Sequence, residues 1–155
     1  MGPTQVLFPG VEERPSRANA RHLERTTMKE FDIQLPKKPS ALAGITEALG
    51  QNGVNIRGIS SDLESDKIFV KIVTDDEAST RSILSMQGVP FTEREVLSVV
   101  IHDRPGEVAK LARRLARRMI TIESMYMLSR GGGKTEVAFT ADDMEKAAEA
   151  LRAWK

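Results

Sequence analysis

Lys38-Pro39-Ser40-Ala41-Leu42-Ala43 and Arg104-Pro105-Gly106-Glu107-Val108-Ala109 are one phrase written twice, about 66 residues apart. Each places a basic residue and a proline ahead of a helix-forming run, and each follows a stretch of alternating apolar residues. The match continues downstream at that offset: Leu49 meets Leu115, Val54 meets Ile120 and Ile56 meets Ile122. After a one-residue slip, Lys67 meets Lys134, Thr74 meets Ala141, Asp75 meets Asp142 and Leu84 meets Leu151. An internal repeat of module size outranks any single motif, because it sets the folding unit before its elements are assigned.

Each repeat reads in the same order. Phe31, Ile33 and Leu35 alternate with Glu30, Asp32 and Gln34, the period of a half-buried strand. Pro39 suits a helix start, where its missing N–H is not needed, and Leu42, Ile45 and Leu49 follow at helical spacing before Gly53. Residues 54–63 read as a second strand. Ile68, Val70 and Ile72 mark a third beyond a polar turn at Glu64-Ser65-Asp66. Thr74-Asp75-Asp76-Glu77 is an N-terminal capping signature for a helix running to about Gln87, and Val89–Arg94 forms a fourth strand. In the second repeat Leu97, Val99 and Ile101 alternate, a helix carries Val108, Leu111, Leu115 and Met119 inward, and strands near 120–128 and 135–140 flank Gly131-Gly132-Gly133. Met144, Ala147, Ala148 and Leu151 mark the last helix.

The expected fold class is therefore α+β: two tandem ferredoxin-like βαββαβ modules, antiparallel sheets with helices on one face. The second module lacks an obvious fourth strand. The expected division is a disordered or loosely docked tail over 1–27, module 1 over 28–94 and module 2 over 95–155. Pro3, Pro9 and Pro15 interrupt the tail, Val6-Leu7-Phe8 is its one apolar patch, and Met28 is an alternative start. Leu97–Ile101 is left as a candidate open edge, for the tail, a second chain or Val89–Arg94 to cover.

Composition narrows the function. The 155 residues carry 23 Lys+Arg against 22 Asp+Glu, so no global charge draws the chain to nucleic acid or an acidic membrane. With no cysteine there are no disulfides, thiolate nucleophiles or zinc–thiolate sites. No apolar run approaches the roughly 20 residues that span a bilayer, and no signal pattern opens the chain, so the expected location is cytoplasmic.

Asp103-Arg104-Pro105-Gly106-Glu107-Val108-Ala109-Lys110-Leu111 resembles the signature loop of ACT domains: a strand, an acid, x-Pro-Gly, then an apolar helix. Gly53-Val54-Asn55-Ile56 resembles that family's entry into its second strand, and with the repeat the resemblance covers about residues 29–154. It implies a regulatory module that binds a small effector, most often an amino acid, where the loop after the first strand faces a neighbouring module. The physics suits it: a helix N-terminus offers N–H groups and a positive dipole end to a carboxylate, an Asp holds an ammonium, and Gly permits close approach. Carried over by position, the ligand-binding candidates are Asp103, Pro105, Gly106, Glu107 and Val108, with Asn55 or its counterpart Thr121 from the second strand, and His102 beside the loop. The first loop departs from the pattern, with Lys37 for the acid and Ser40 for the Gly, so the expected site combines the second loop with a polar strand residue of the first repeat.

Other motifs carry less. Gly131-Gly132-Gly133-Lys134-Thr135 has Leu128 where a Walker loop needs its first glycine, and it joins two strands. Lys110, Arg113, Arg114, Arg117 and Arg118 share a helix face that reads first as a solvated surface. Phe69 and Phe139 fall on the strands where RNA-binding modules stack bases, without the surrounding Gly- and aromatic-rich pattern. The two histidines, His22 and His102, have no metal-ligand spacing, and no nucleophile sits beside a base. The expectation is a non-enzyme without cofactors: a homodimeric sensor that binds an amino acid and controls a separate metabolic enzyme or transcription factor. A ligand-free protein-interaction scaffold is the alternative, and RNA binding ranks third.

Overall fold

The computed structural model describes residues 26–154; the tail reading, with Val6-Leu7-Phe8 and His22, falls almost wholly outside them. The elements run β1 (Thr26–Pro36), α1 (Pro39–Gln51), β2 (Ile56–Glu64), β3 (Lys67–Thr74), α2 (Glu77–Met86), β4 (Phe91–His102), α3 (Glu107–Ala116), β5 (Ile122–Gly131), β6 (Lys134–Ala141) and α4 (Met144–Ala150). All strands join one antiparallel six-stranded sheet, ordered β2-β3-β1-β4-β6-β5.

β4 is the hinge of this arrangement. The sequence suggests two strands, 89–94 and 97–101, and the structure makes them one. Its first part pairs with β1, from Phe91 opposite Ile33 to Ser98 opposite Thr26. Its last part pairs with β6, from Leu97 opposite Phe139 to His102 opposite Lys134. Glu93-Arg94-Glu95 interrupts the apolar alternation but contains no turn former, so nothing in the chain stops the strand. One strand thus closes the first repeat and opens the second.

Odd-numbered positions of β1 and β4 face the helices. Phe31, Ile33 and Leu35 pack with Ile45 and Leu49 of α1 and Ile83 and Leu84 of α2, and Phe91 adds a tilted ring contact to Phe31 at 6.0 Å. Leu97, Val99 and Ile101 pack with Phe139, Leu111, Leu115, Ala147, Leu151 and Trp154. Each fully buried large apolar side chain contributes roughly 1.5–3 kcal/mol. All four helices therefore cover one face of the sheet. Two residues expected inward on α3 are not: Val108 is 41% and Met119 89% exposed. The helix ends at Ala116, and Met119 follows at φ +57°, a left-handed position that turns its side chain away from the inward stripe.

The other face curls on itself. Edge strands β2 and β5 approach each other so closely that a Cβ added at Gly58 would stand 2.4 Å from Leu128 Cδ2. Met28, Val73, Val96 and Ala138, with Tyr126 and Leu128, form a third apolar cluster inside the curl. Arg57 of β2 reaches Glu136 of β6 at 3.1 Å across the same space.

Candidate functional site

The loop between β4 and α3 is built by two turns. Gly132 and Gly133 have φ +58° and +71°, the pair of left-handed residues that a two-residue type I′ hairpin needs. This hairpin, rather than a phosphate cradle, joins β5 to β6 and lies against the loop. The Asp103 N–H donates to the Gly133 carbonyl at 2.9 Å. Arg130 Nε and Nη2 donate to the two carboxylate oxygens of Asp103, each at 2.6 Å. Those bonds hold the Asp103 carboxyl below its usual range and raise the Arg130 guanidinium.

Gly106 follows at φ +88° as the N-cap of α3, a conformation that strains any other residue. Pro105 therefore precedes the cap, whereas its repeat partner Pro39 is itself the first residue of α1. Neither α1 nor α3 has a side-chain cap. α2 and α4 both do, through Asp76 and Asp143. The helices that follow the repeated phrase thus begin with N–H groups that no side chain occupies.

Glu107, in the first turn of α3, is only 4% exposed although its neighbours are in solvent. Lys110 Nζ donates to it at 2.7 Å and Arg104 Nε at 2.8 Å. These two hydrogen bonds lower its carboxyl to about 2, so it is ionised throughout the physiological range. His102 is exposed at the end of β4, opposite Lys134, and Pro105 and Val108 are exposed beside the cap.

Asn55 and Thr121 hold equivalent posts in the two repeats. The Asn55 N–H donates to Asp75 Oδ1 at 2.9 Å, and its carbonyl accepts from the Asp75 N–H at 3.1 Å. Thr121 and Asp142 repeat this reciprocal clamp at 2.9 and 3.1 Å. The registers carry Asn55, through Asp75 and Met28, to the level of Val96 in β4, roughly 20 Å along the sheet from the 103–106 loop, with β3 and β1 between the strands. Thr121 is likewise remote from the loop, the length of β6 away, roughly 25 Å. The loop thus gathers His102, Asp103, Pro105, Gly106, Glu107 and Val108 and leaves both Asn55 and Thr121 apart, so the expected combination of this loop with a strand residue of the first repeat is not brought together within the chain.

Arg130 stands at this loop without having been singled out in the sequence, while Arg104 was named there only within the repeated phrase and Lys110 within the basic helix face and the resemblance run. Pairing the hairpin about Gly132 and Gly133 brings Arg130 alongside the loop, which is the signal that could have found it. Among the described residues no group of His, Asp or Glu is placed to hold a metal ion, and no helix is long and apolar enough to cross a membrane.

No protein-family model matches the chain, and no curated protein matches it. Solved structures do. A protein from Bacteroides thetaiotaomicron superposes with a TM-score of 0.77 at 21% identity, over 82% of this chain and 88% of that one. The regulatory subunit of aspartate kinase from Thermus thermophilus, in a ligand-free form, gives 0.59 at 20% identity over 83% and 93%. The corresponding subunit from Thermus flavus gives 0.58 at 21% over 82% and 89%. The fold is the ACT-type fold, present in tandem. The repeated phrase marks where the chain passes from β1 to α1 and from β4 to α3, and β4 serves both repeats.

Proposed function

We propose that the chain is a non-catalytic regulatory protein of the cytoplasm that binds a small effector, an amino acid, at an interface between ACT modules. In this reading it acts as a homodimer on a separate metabolic enzyme or transcription factor. One observation carries the reading: in the second repeat a carboxylate, a left-handed glycine and an uncapped helix start converge in one loop, Asp103 to Val108. Asp103 serves the ammonium group and the α3 N–H groups serve the carboxylate. Arg130, now paired with Asp103, is exposed enough to swing onto a ligand carboxylate. The solved regulatory subunits of aspartate kinase with this fold add weight to a regulatory role.

The test is a thermal-shift screen of the full chain against the twenty standard amino acids, with Asp103→Ala in parallel. A ligand at 100 times its Kd adds about 2.7 kcal/mol of stability. The reading expects an upward shift with one chemical group of amino acids, lost in Asp103→Ala. No shift with any of the twenty overturns it and leaves the interaction scaffold.

A further inference from the structure

The curled face of the sheet holds charges that the proposed effector site does not use. Glu30 is 0% exposed. It lies two residues from Asp32 on the same face of β1, and the Asp32 carboxylate is within its hydrogen-bonding reach. Glu30 Oε1 and Asp32 Oδ1 are both buried without a hydrogen-bond donor, and both face Lys71 Nζ from β3, at 3.8 and 4.0 Å, too far for a hydrogen bond. The other oxygen, Glu30 Oε2, accepts from the hydroxyl of Tyr126 on β5.

Two neighbouring carboxylates on one face of the strand repel and leave two acceptors unsatisfied in a buried place. One proton between them removes both faults, since the protonated acid donates to its neighbour. We propose that Glu30 and Asp32 share one proton, and that this proton closes a pH-sensitive latch holding the edge strand β5, and with it the β2–β5 seam, over the sheet. With the proton in place, the pair carries one negative charge opposite one Lys71. Glu30 Oε2 accepts from Tyr126 in either state and so ties β5 to β1, but only the protonated pair is free of the buried charge excess. Without the proton, two adjacent carboxylates face a single ammonium, and Glu30 regains water only if the seam opens.

The other groups on this face leave the role to the pair. Arg94 of β4 is engaged with Glu123 of β5 at 2.6 Å, and Arg57 of β2 with Glu136 of β6. Met28, Val73, Val96 and Ala138 are apolar, and the Ser98 hydroxyl is buried without a partner. A groove of about 320 Å³, lined by Asp32, Gln34, Lys71 and Thr92 among others, opens on the outer edge of the pair and supplies a route to solvent for the proton. Burial raises the Glu30 carboxyl above its ordinary value, Tyr126 and Lys71 oppose that, and the Asp32 charge adds to it.

The sign follows. A carboxyl raised in the folded state contributes stability that is complete below its unfolded value of 4.5 and is lost as pH rises through the folded value. The experiment is a carbon-13 NMR titration of the side-chain carboxyls of the full chain, with amide exchange of β2 and β5 followed over the same pH range. The latch predicts that the Glu30 carboxyl titrates well above the ordinary carboxylate range. Protection of β2 and β5, corrected for intrinsic rate, should fall several-fold through that step. Tyr126→Phe moves the step upward, because the hydroxyl favours the ionised acid. Glu30→Gln, whose amide reproduces the protonated acid, abolishes the step and keeps the seam protected at every pH. A Glu30 carboxyl that titrates in the ordinary carboxylate range overturns the proposal without any variant. A raised step with unchanged seam protection overturns the latch.

Discussion

The two repeats have the same backbone plan and opposite chemistry. On the curled face, the first repeat presents Glu30, Asp32 and Lys71 where the second has Val96, Ser98 and Ala138. At the loop the contrast reverses. Lys37, Lys38, Pro39 and Ser40 lead plainly into α1, whereas Asp103 to Glu107 build a left-handed cap, a bidentate ion pair and a buried carboxylate. A duplicated module has thus placed its charged interior in one copy and its candidate ligand loop in the other. Shared packing explains the fold; the unshared polar residues are where function is to be sought.

The largest expected effect tests whether the two copies fold as one. Phe139 and its counterpart Ile72 anchor the two helix-side cores, and truncating either to Ala should cost about 2–5 kcal/mol. Because β4 lends Phe91 to one core and Leu97, Val99 and Ile101 to the other, each variant should still unfold in a single transition in calorimetry. Two separated transitions would mean that the repeats are independent domains joined by a long strand.

A smaller effect is expected at the seam. Gly58→Ala drives a Cβ toward the flexible end of Leu128, and overpacking of this kind costs about 1 kcal/mol at its mildest. Pairing it with Leu128→Ala should recover part of that cost, measured by denaturant unfolding of the four members of the cycle. Strict additivity would show that β2 and β5 are not in contact in solution. On the second copy's outer surface, Arg114 donates to the Ala150 carbonyl at 2.5 Å and lies 5.7 Å from the Trp154 ring. Arg114→Met should cost about 1 kcal/mol, which tests whether this member of the basic stripe serves the fold.

Acid should weaken the second loop before the first. The Glu107 carboxyl, lowered to about 2 by Lys110 and Arg104, contributes stability that is present above its ordinary 4.5 and lost as pH falls through about 2. Stability measured downward from pH 5 should fall less steeply in Glu107→Gln than in the unaltered chain. An unchanged slope would place the charge of Glu107 outside the folding equilibrium.

Most of the architecture could be read from the repeat and from strand periodicity, since Phe31, Ile33 and Leu35 name their own face and Asp76 its own helix. Periodicity does not report curvature. Glu30 and Asp32 alternate with core residues as the solvent face of an open sheet would, yet the curl of the sheet buries Glu30 completely. The merging of two expected strands into β4 was hidden for a related reason: Glu93-Arg94-Glu95 reads as a polar boundary, while Arg81 of α2 binds Glu93 at 2.9 and 2.5 Å and keeps it within the packed unit. At the loop, Asp103 and Gly106 were legible as motif residues. Arg130 was not, because its place depends on the register of a hairpin and not on any local pattern.

The most direct test of the central claim is an amide NMR titration of the full chain with pooled standard amino acids. Saturable shifts confined to residues 102–108 and 130–134, and absent in Asp103→Ala, are the predicted result. Spectra unchanged at millimolar concentrations, or shifts that survive in Asp103→Ala, would contradict an effector site at this loop.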